Sequence, residues 1–88
     1  METKYFLVTE QDPDDSGYKT VGVIAATTAD ELKDKIVVAG IDHFDDTDFQ
    51  LGEFDAEQIF DSWYCYDVPF NMLHCYGGNL DIQQVNVF

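Results

Sequence analysis

The stretch from Asp42 to Asp61 (DHFDDTDFQLGEFDAEQIFD) constrains this chain more than any other. It carries eight carboxylates in twenty residues, Asp42, Asp45, Asp46, Asp48, Glu53, Asp55, Glu57 and Asp61, and no Lys or Arg. Acidic runs of this density usually stay disordered, because they lack the apolar surface that would offset chain entropy. Here Phe44, Phe49, Leu51, Phe54, Ile59 and Phe60 interrupt the charge every few residues. The stretch is therefore expected to fold and to present its carboxylates from a fixed surface.

The rest of the chain does little to balance that charge. Eighteen acids against four lysines and no arginine give a net charge of −14. Lys4, Lys19, Lys33 and Lys35 all lie in the first 35 residues, and the ten acids after them meet no base except two histidines. Self-repulsion on this scale costs stability, so the charge either keeps the protein soluble or acts on a basic partner. Direct nucleic-acid binding needs a Lys/Arg patch, and none can be assembled here. An anionic membrane surface is disfavoured for the same reason.

A length of 88 residues reads as a single acidic domain, residues 1–88, and 45 % hydrophobic residues are enough for a core. Met1, Glu2, Thr3 and Lys4 do not begin a secretion signal, and no run approaches the roughly 18 apolar residues of a membrane span. Cys65 and Cys75 then read as cytosolic thiols, which makes the expected location cytoplasmic.

Taken in order, Tyr5 to Thr9 is a first strand and Tyr18 to Ala26 a second, joined by a turn at Gln11 to Gly17. Thr28-Ala29-Asp30-Glu31 is a capping box. Leu32, Ile36 and Ala39 mark one helical face, Glu31 and Lys35 form an i,i+4 pair, and Gly40 stands where a helix would stop. The spacing predicts a helix over 28–39. Asp48 to Phe54 alternates as a third strand. Asp55 caps a second helix over 56–65, with Ile59, Phe60, Trp63 and Tyr64 on its apolar side and Asp67-Val68-Pro69 ending it. Phe70 to Tyr76 fits no single element. Leu80 to Phe88 is the last strand; its parity changes after Ile82, which predicts a bulge at Gln83-Gln84. The expected fold is a small α+β domain, a mostly antiparallel sheet with two helices, in the order ββαβαβ.

Metal chemistry finds little to use. Asp12-Pro13-Asp14-Asp15-Ser16-Gly17 resembles the first half of an EF-hand loop, but position 12, which should be a bidentate Glu, is Val23. The acids at Asp42, Asp45, Asp46 and Asp48 offer at most a loose cation site. Cys65, His74, Cys75 and His43 have no zinc-ligand spacing. Neither Ser16 nor Ser62 lies in a nucleophile motif, and Gly77-Gly78 lacks the lysine of a phosphate loop. No enzyme, metal or cofactor is expected. Tyr76-Gly77-Gly78-Asn79-Leu80-Asp81 resembles the YGxNLD segment of the barstar family of nuclease inhibitors. In that family the segment opens a helix and a second acid follows four residues later. Here that position is Val85 and the segment reads as a strand, so the six residues are taken as a chance match.

The acidic surface remains. Strand residues i and i+2 lie about 6.6–6.8 Å apart, and helix residues i and i+4, such as Glu57 and Asp61, about 5–6 Å. Duplex DNA carries a phosphate every ~3.4 Å along each strand, so rows of carboxylates can imitate a phosphate track. Small acidic DNA mimics from phages, with anti-restriction and anti-CRISPR proteins among them, share this composition. The expected function is a non-enzymatic inhibitor that occupies the basic nucleic-acid-binding surface of a partner protein. The eight carboxylates of 42–61 would supply the field, and exposed members of Trp63, Tyr64 and Tyr66 the anchors. The competing readings are an adaptor subunit whose charge serves solubility, and an immunity protein for a basic nuclease toxin. The oligomeric state is left open.

Overall fold

The computed structural model describes residues 2–11, 17–44, 54–63, 66–69 and 79–87; at 41, 43, 44, 69 and 79 it describes the backbone alone. The fold class is the expected one, a small α+β domain, with four antiparallel strands and two helices among the described residues. Strands β1 (Lys4–Gln11) and β2 (Tyr18–Ala26) form the first antiparallel pair. Helix α1 (Ala29–Phe44), helix α2 (Ala56–Asp61), strand β3 (Tyr66–Pro69) and strand β4 (Asn79–Val85) follow. The sheet order is β2-β1-β4-β3, so the first and last strands lie side by side at its centre.

Alternation along the strands decides what is buried. Phe6 and Val8 of β1, Ile24 and Ala26 of β2, Leu80 and Ile82 of β4, and Val68 of β3 point to one face and are buried. Leu32 and Ile36 of α1 and Ile59 of α2 close over that face and complete a single hydrophobic cluster. The ladder between β1 and β2 shifts register between Val8 and Thr9, where Val8 pairs with Gly22 and Thr9 with Thr20. Val21 is the extra residue, and it packs at the edge of the core.

The first helix begins as its sequence dictates. The Glu31 amide donates to the Thr28 hydroxyl at 3.1 Å, and the Leu32 amide to the Thr28 carbonyl at 3.0 Å. The Glu31 carboxylate meets Lys35 at 3.1 Å and accepts from the Thr27 hydroxyl at 2.9 Å. The Lys35 hydrogen bond, then that of Thr27, holds the Glu31 carboxyl below its ordinary value. The helix does not stop at Gly40. Leu32, Ile36 and Gly40 recur at i, i+4 and i+8 and all are buried, so Gly40 continues the core stripe that it was expected to end.

Three further expectations change. The second helix stops at Asp61 and not at residue 65, because Ser62 turns extended and the chain from Tyr66 pairs with β4, Tyr66 opposite Ile82. Asp67-Val68-Pro69, read as a helix terminator, is therefore strand; Pro69 sits at its end on an outer strand, where a missing N–H is tolerated. The bulge expected at Gln83-Gln84 is absent, since the β1–β4 ladder runs unbroken from Tyr5–Val85 to Gln11–Asn79. Gln84 keeps the core-facing parity of Leu80 and Ile82 because its Nε2 donates to the Phe60 carbonyl at 2.9 Å. The order ββαβαβ counts a strand over Asp48 to Phe54, of which residues 48–53 lie outside the described ones.

Candidate functional site: the exposed face of the second helix and Trp63

The second helix is short, and four interactions fix it. The Asp55 carboxylate accepts from the Gln58 amide at 3.0 Å, satisfying an amide with no partner inside the helix. The Ile59 amide donates to the Asp55 carbonyl at 3.2 Å, and at the other end the Ser62 amide donates to the Ile59 carbonyl at 3.4 Å. The Ile59 side chain is 1 % exposed and ties the helix to the core. Six residues are too few for a stable isolated helix, so this packing and the cap hold it.

With Ile59 inward, Asp55, Glu57, Gln58 and Asp61 face solvent. Glu57 and Asp61 are an i,i+4 pair of like charge, which costs a few tenths of a kcal/mol on a helix surface. Lys4, from the start of β1, offsets part of that cost. Its Nζ donates to the Phe60 carbonyl at 3.2 Å, lies 4.4 Å from the centre of the Phe60 ring and stands 3.9 Å from the Asp61 carboxylate. Asp61 is still 77 % exposed, so that ion pair is a weak one. The Phe60 carbonyl thus accepts from both Lys4 and Gln84, and the Phe60 ring packs on Phe6 with centroids 5.8 Å apart. Strands β1 and β4 in this way hold the C-terminal end of the helix, and with it the position of Asp61.

Trp63 follows two residues later and is 53 % exposed. It lines an open cleft of about 420 Å³ with Glu2, Lys4, Tyr5, Gln84 and Val85. Tyr66, grouped with it from the sequence, is half-buried and packs against the core. Of the expected carboxylates, the structure brings Asp55, Glu57 and Asp61 together on one element. Asp42 is exposed near the C-terminal end of α1, where the helix dipole disfavours an anion. Asp45, Asp46, Asp48, Glu53 and Tyr64 lie outside the described residues.

Two groups important here were given no part in the site from the sequence. Lys4 and Gln84 both hold the end of α2, and neither carried a local signal, since each acts on a residue far along the chain. A second acidic position also emerges, where Asp81 of β4 stands opposite Asp67 of β3 on the sheet face away from the helices. Like charges directly opposite on neighbouring strands oppose pairing. Asp81 is 7 % exposed. The alternation of Leu80 and Ile82 could have placed Asp81 there; Asp67 could not be placed while its segment read as a helix end.

The EF-hand-like residues 12–16 are outside the described ones, and both flanks are strands, with Val23 inside β2. Cys65, His74 and Cys75 are likewise outside. The segment matched to the barstar pattern enters β4 at Asn79 and opens no helix there. Among the described residues no helix is long and apolar enough to cross a membrane. In comparisons with known proteins, no family model, no curated protein and no solved structure matches the chain.

Proposed function

We propose that this protein is a non-enzymatic acidic inhibitor that covers the basic nucleic-acid-binding surface of a partner protein. The observation that carries the reading is the outer side of α2. Asp55, Glu57 and Asp61 stand exposed on an element pinned by a buried residue, an exposed tryptophan follows them, and Lys4 is their one described cationic contact. Carboxylates on a pinned helix do not have to be ordered on binding, so less of their electrostatic attraction is lost to entropy. The net charge of −14 adds long-range steering toward a basic surface. The cytoplasm, where nucleic-acid-binding partners are abundant, suits such an inhibitor.

The test begins with capture of partners on the immobilised protein and elution by a salt gradient. A captured partner should lose its nucleic-acid binding in the presence of this protein, and the competition should weaken as salt rises. Changing Asp45, Asp46 and Asp48 together to Asn should slow association and flatten its salt dependence, since charges at an interface rim act mainly on kon. Changing Asp12, Asp14 and Asp15 to Asn removes the same charge from the segment between β1 and β2 and should leave association largely intact. Equal losses would mean that total charge matters and placement does not. Partner binding that ignores both salt and the two triples would overturn the inhibitor reading in favour of an adaptor.

A further inference from the structure

The cleft beside Trp63 has a chemistry that the acidic surface alone does not explain. Its lining is mixed: the half-exposed Trp63 stands among Tyr5, Val85, the polar Gln84 and Asn86, and the acidic Glu2. Asp61 is two residues from Trp63 in sequence and is strongly exposed. The one cation in the lining, Lys4, is committed elsewhere through the Phe60 carbonyl, the Phe60 ring and Asp61. An anionic ligand would have to approach a chain of net charge −14 and compete for an ammonium already engaged. A flat cation meets the opposite situation: a tryptophan 53 % exposed, an acid in the lining and a favourable field.

We infer that this cleft takes an arginine side chain of the basic partner, its guanidinium stacked on the Trp63 ring and drawn by Glu2. The inference rests on the acidic-surface reading and names the group on the partner that the surface recognises. Arginine suits the cleft better than lysine for two physical reasons. The guanidinium is planar and weakly hydrated, so it stacks on an aromatic ring at a lower desolvation cost than an ammonium. Its fork of donors can also engage a carboxylate while the plane stays on the ring. Trp63 thereby becomes an anchor of the kind that concentrates binding energy, within a charged surround that mainly sets the rate of encounter.

Trp63 is the single tryptophan of the chain, so its emission reports on this cleft alone. The full chain is titrated with oligo-arginine and oligo-lysine peptides of equal length, following both Trp63 emission and the anisotropy of a dye on the peptide. Oligo-arginine should change the emission saturably and bind about three- to tenfold more tightly than oligo-lysine, the range of a cation–π contact at a partly exposed site. Trp63→Leu, a change at an exposed position, should erase that preference by lowering oligo-arginine affinity to that of oligo-lysine. Glu2→Gln should weaken oligo-arginine more than oligo-lysine. Equal affinities for the two peptides with a silent Trp63 would overturn the inference and leave the acidic-surface reading standing. Failure of both peptides to bind at low salt would sink that reading and the inference with it. Saturable binding of an anionic oligo-glutamate with a Trp63 response would show that Lys4 governs the cleft, which also overturns the inference.

Discussion

The two helices solve the same problem with different charge economies. Both cross the same face of the sheet, both start from a side-chain oxygen accepting a backbone amide, and both are anchored by buried isoleucines. Helix α1 carries Lys33 and Lys35 among its acids, and its Glu31 is drawn into contacts with Lys35 and Thr27. Helix α2 carries no base and takes its one cation from β1. Glu31 of α1 therefore helps to build the protein, whereas the outer acids of α2 stand largely unspent. Equal secondary structure thus hides unequal electrostatic duty, and the helix that contributes less to its own stability is the better candidate for contact.

The largest test of this contrast removes the anchors. Ile36→Ala in α1 and Ile59→Ala in α2 both empty a fully buried site and should each cost about 2–5 kcal/mol in urea unfolding. Ile59→Ala should also strip the α2 amides of hydrogen-exchange protection before the rest of the domain opens, since it removes the one buried residue of that helix. A cost below about 1 kcal/mol at Ile59 would mean that α2 is not pinned, and the contrast would fail.

The caps give the next effect. Thr28→Ala should cost about 1 kcal/mol and Asp55→Ala a similar amount, while Asp55→Asn, which keeps the acceptor and drops the charge, should cost almost nothing. Loss of stability in Asp55→Asn equal to that in Asp55→Ala would assign Asp55 an electrostatic role, not a capping one. Acid sharpens the comparison. The carboxyl of Glu31 is held below its ordinary value, so its contribution is present above the usual glutamate range, about 4.3, and disappears as pH falls through the lower folded value. Thermal unfolding of Glu31→Gln should therefore differ from the parent near neutral pH and converge with it in acid.

The smallest effect has the opposite sign. Glu57→Gln and Asp61→Asn should stabilise slightly, by less than ~0.5 kcal/mol, because they relieve repulsion that Lys4 only partly offsets. The gain should shrink between about 0.01 M and 0.15 M NaCl, as the Debye length falls from roughly 30 Å to 8 Å, while the parent's melting temperature rises over the same range. Destabilisation by both changes would show that the outer acids of α2 serve the fold after all.

Much of this architecture was legible because its signals are local. Thr28 and Glu31, three residues apart, announce the start of α1, and the β-forming run from Tyr18 through Val21-Gly22-Val23-Ile24 to Ala26 marks β2. What could not be read depends on partners distant in sequence. Gly40 looks like a stop until it is seen to be buried at i+8 on the stripe through Leu32 and Ile36. Gln84 looks like a break in alternation until the Phe60 carbonyl is placed beneath it. Tyr66 to Pro69 looks like the tail of a helix because four residues are too few to declare a strand, and Leu80, the partner of Val68, lies twelve residues further along the chain. For the site, the wealth of acid in 42–61 was plain from composition. The exposure of Trp63, against the burial of part of Tyr66, was decided by where the helix stops.

The central pairing of β1 with β4 has a consequence for how the chain must be made. Tyr5 meets Val85 across this ladder, so the middle of the sheet is assembled from the two most distant parts of the described chain. Closing so long a loop is entropically costly and comes late, and topologies dominated by such contacts fold slowly. During synthesis the hairpin of β1 and β2 and the helix after it emerge first, with Phe6 and Val8 presented to water and no strand yet available on their other side. Until β4 clears the ribosome, the growing chain carries an incomplete sheet with apolar residues still lacking partners, and its dense negative charge is the feature best suited to keep neighbouring nascent chains apart in the interval.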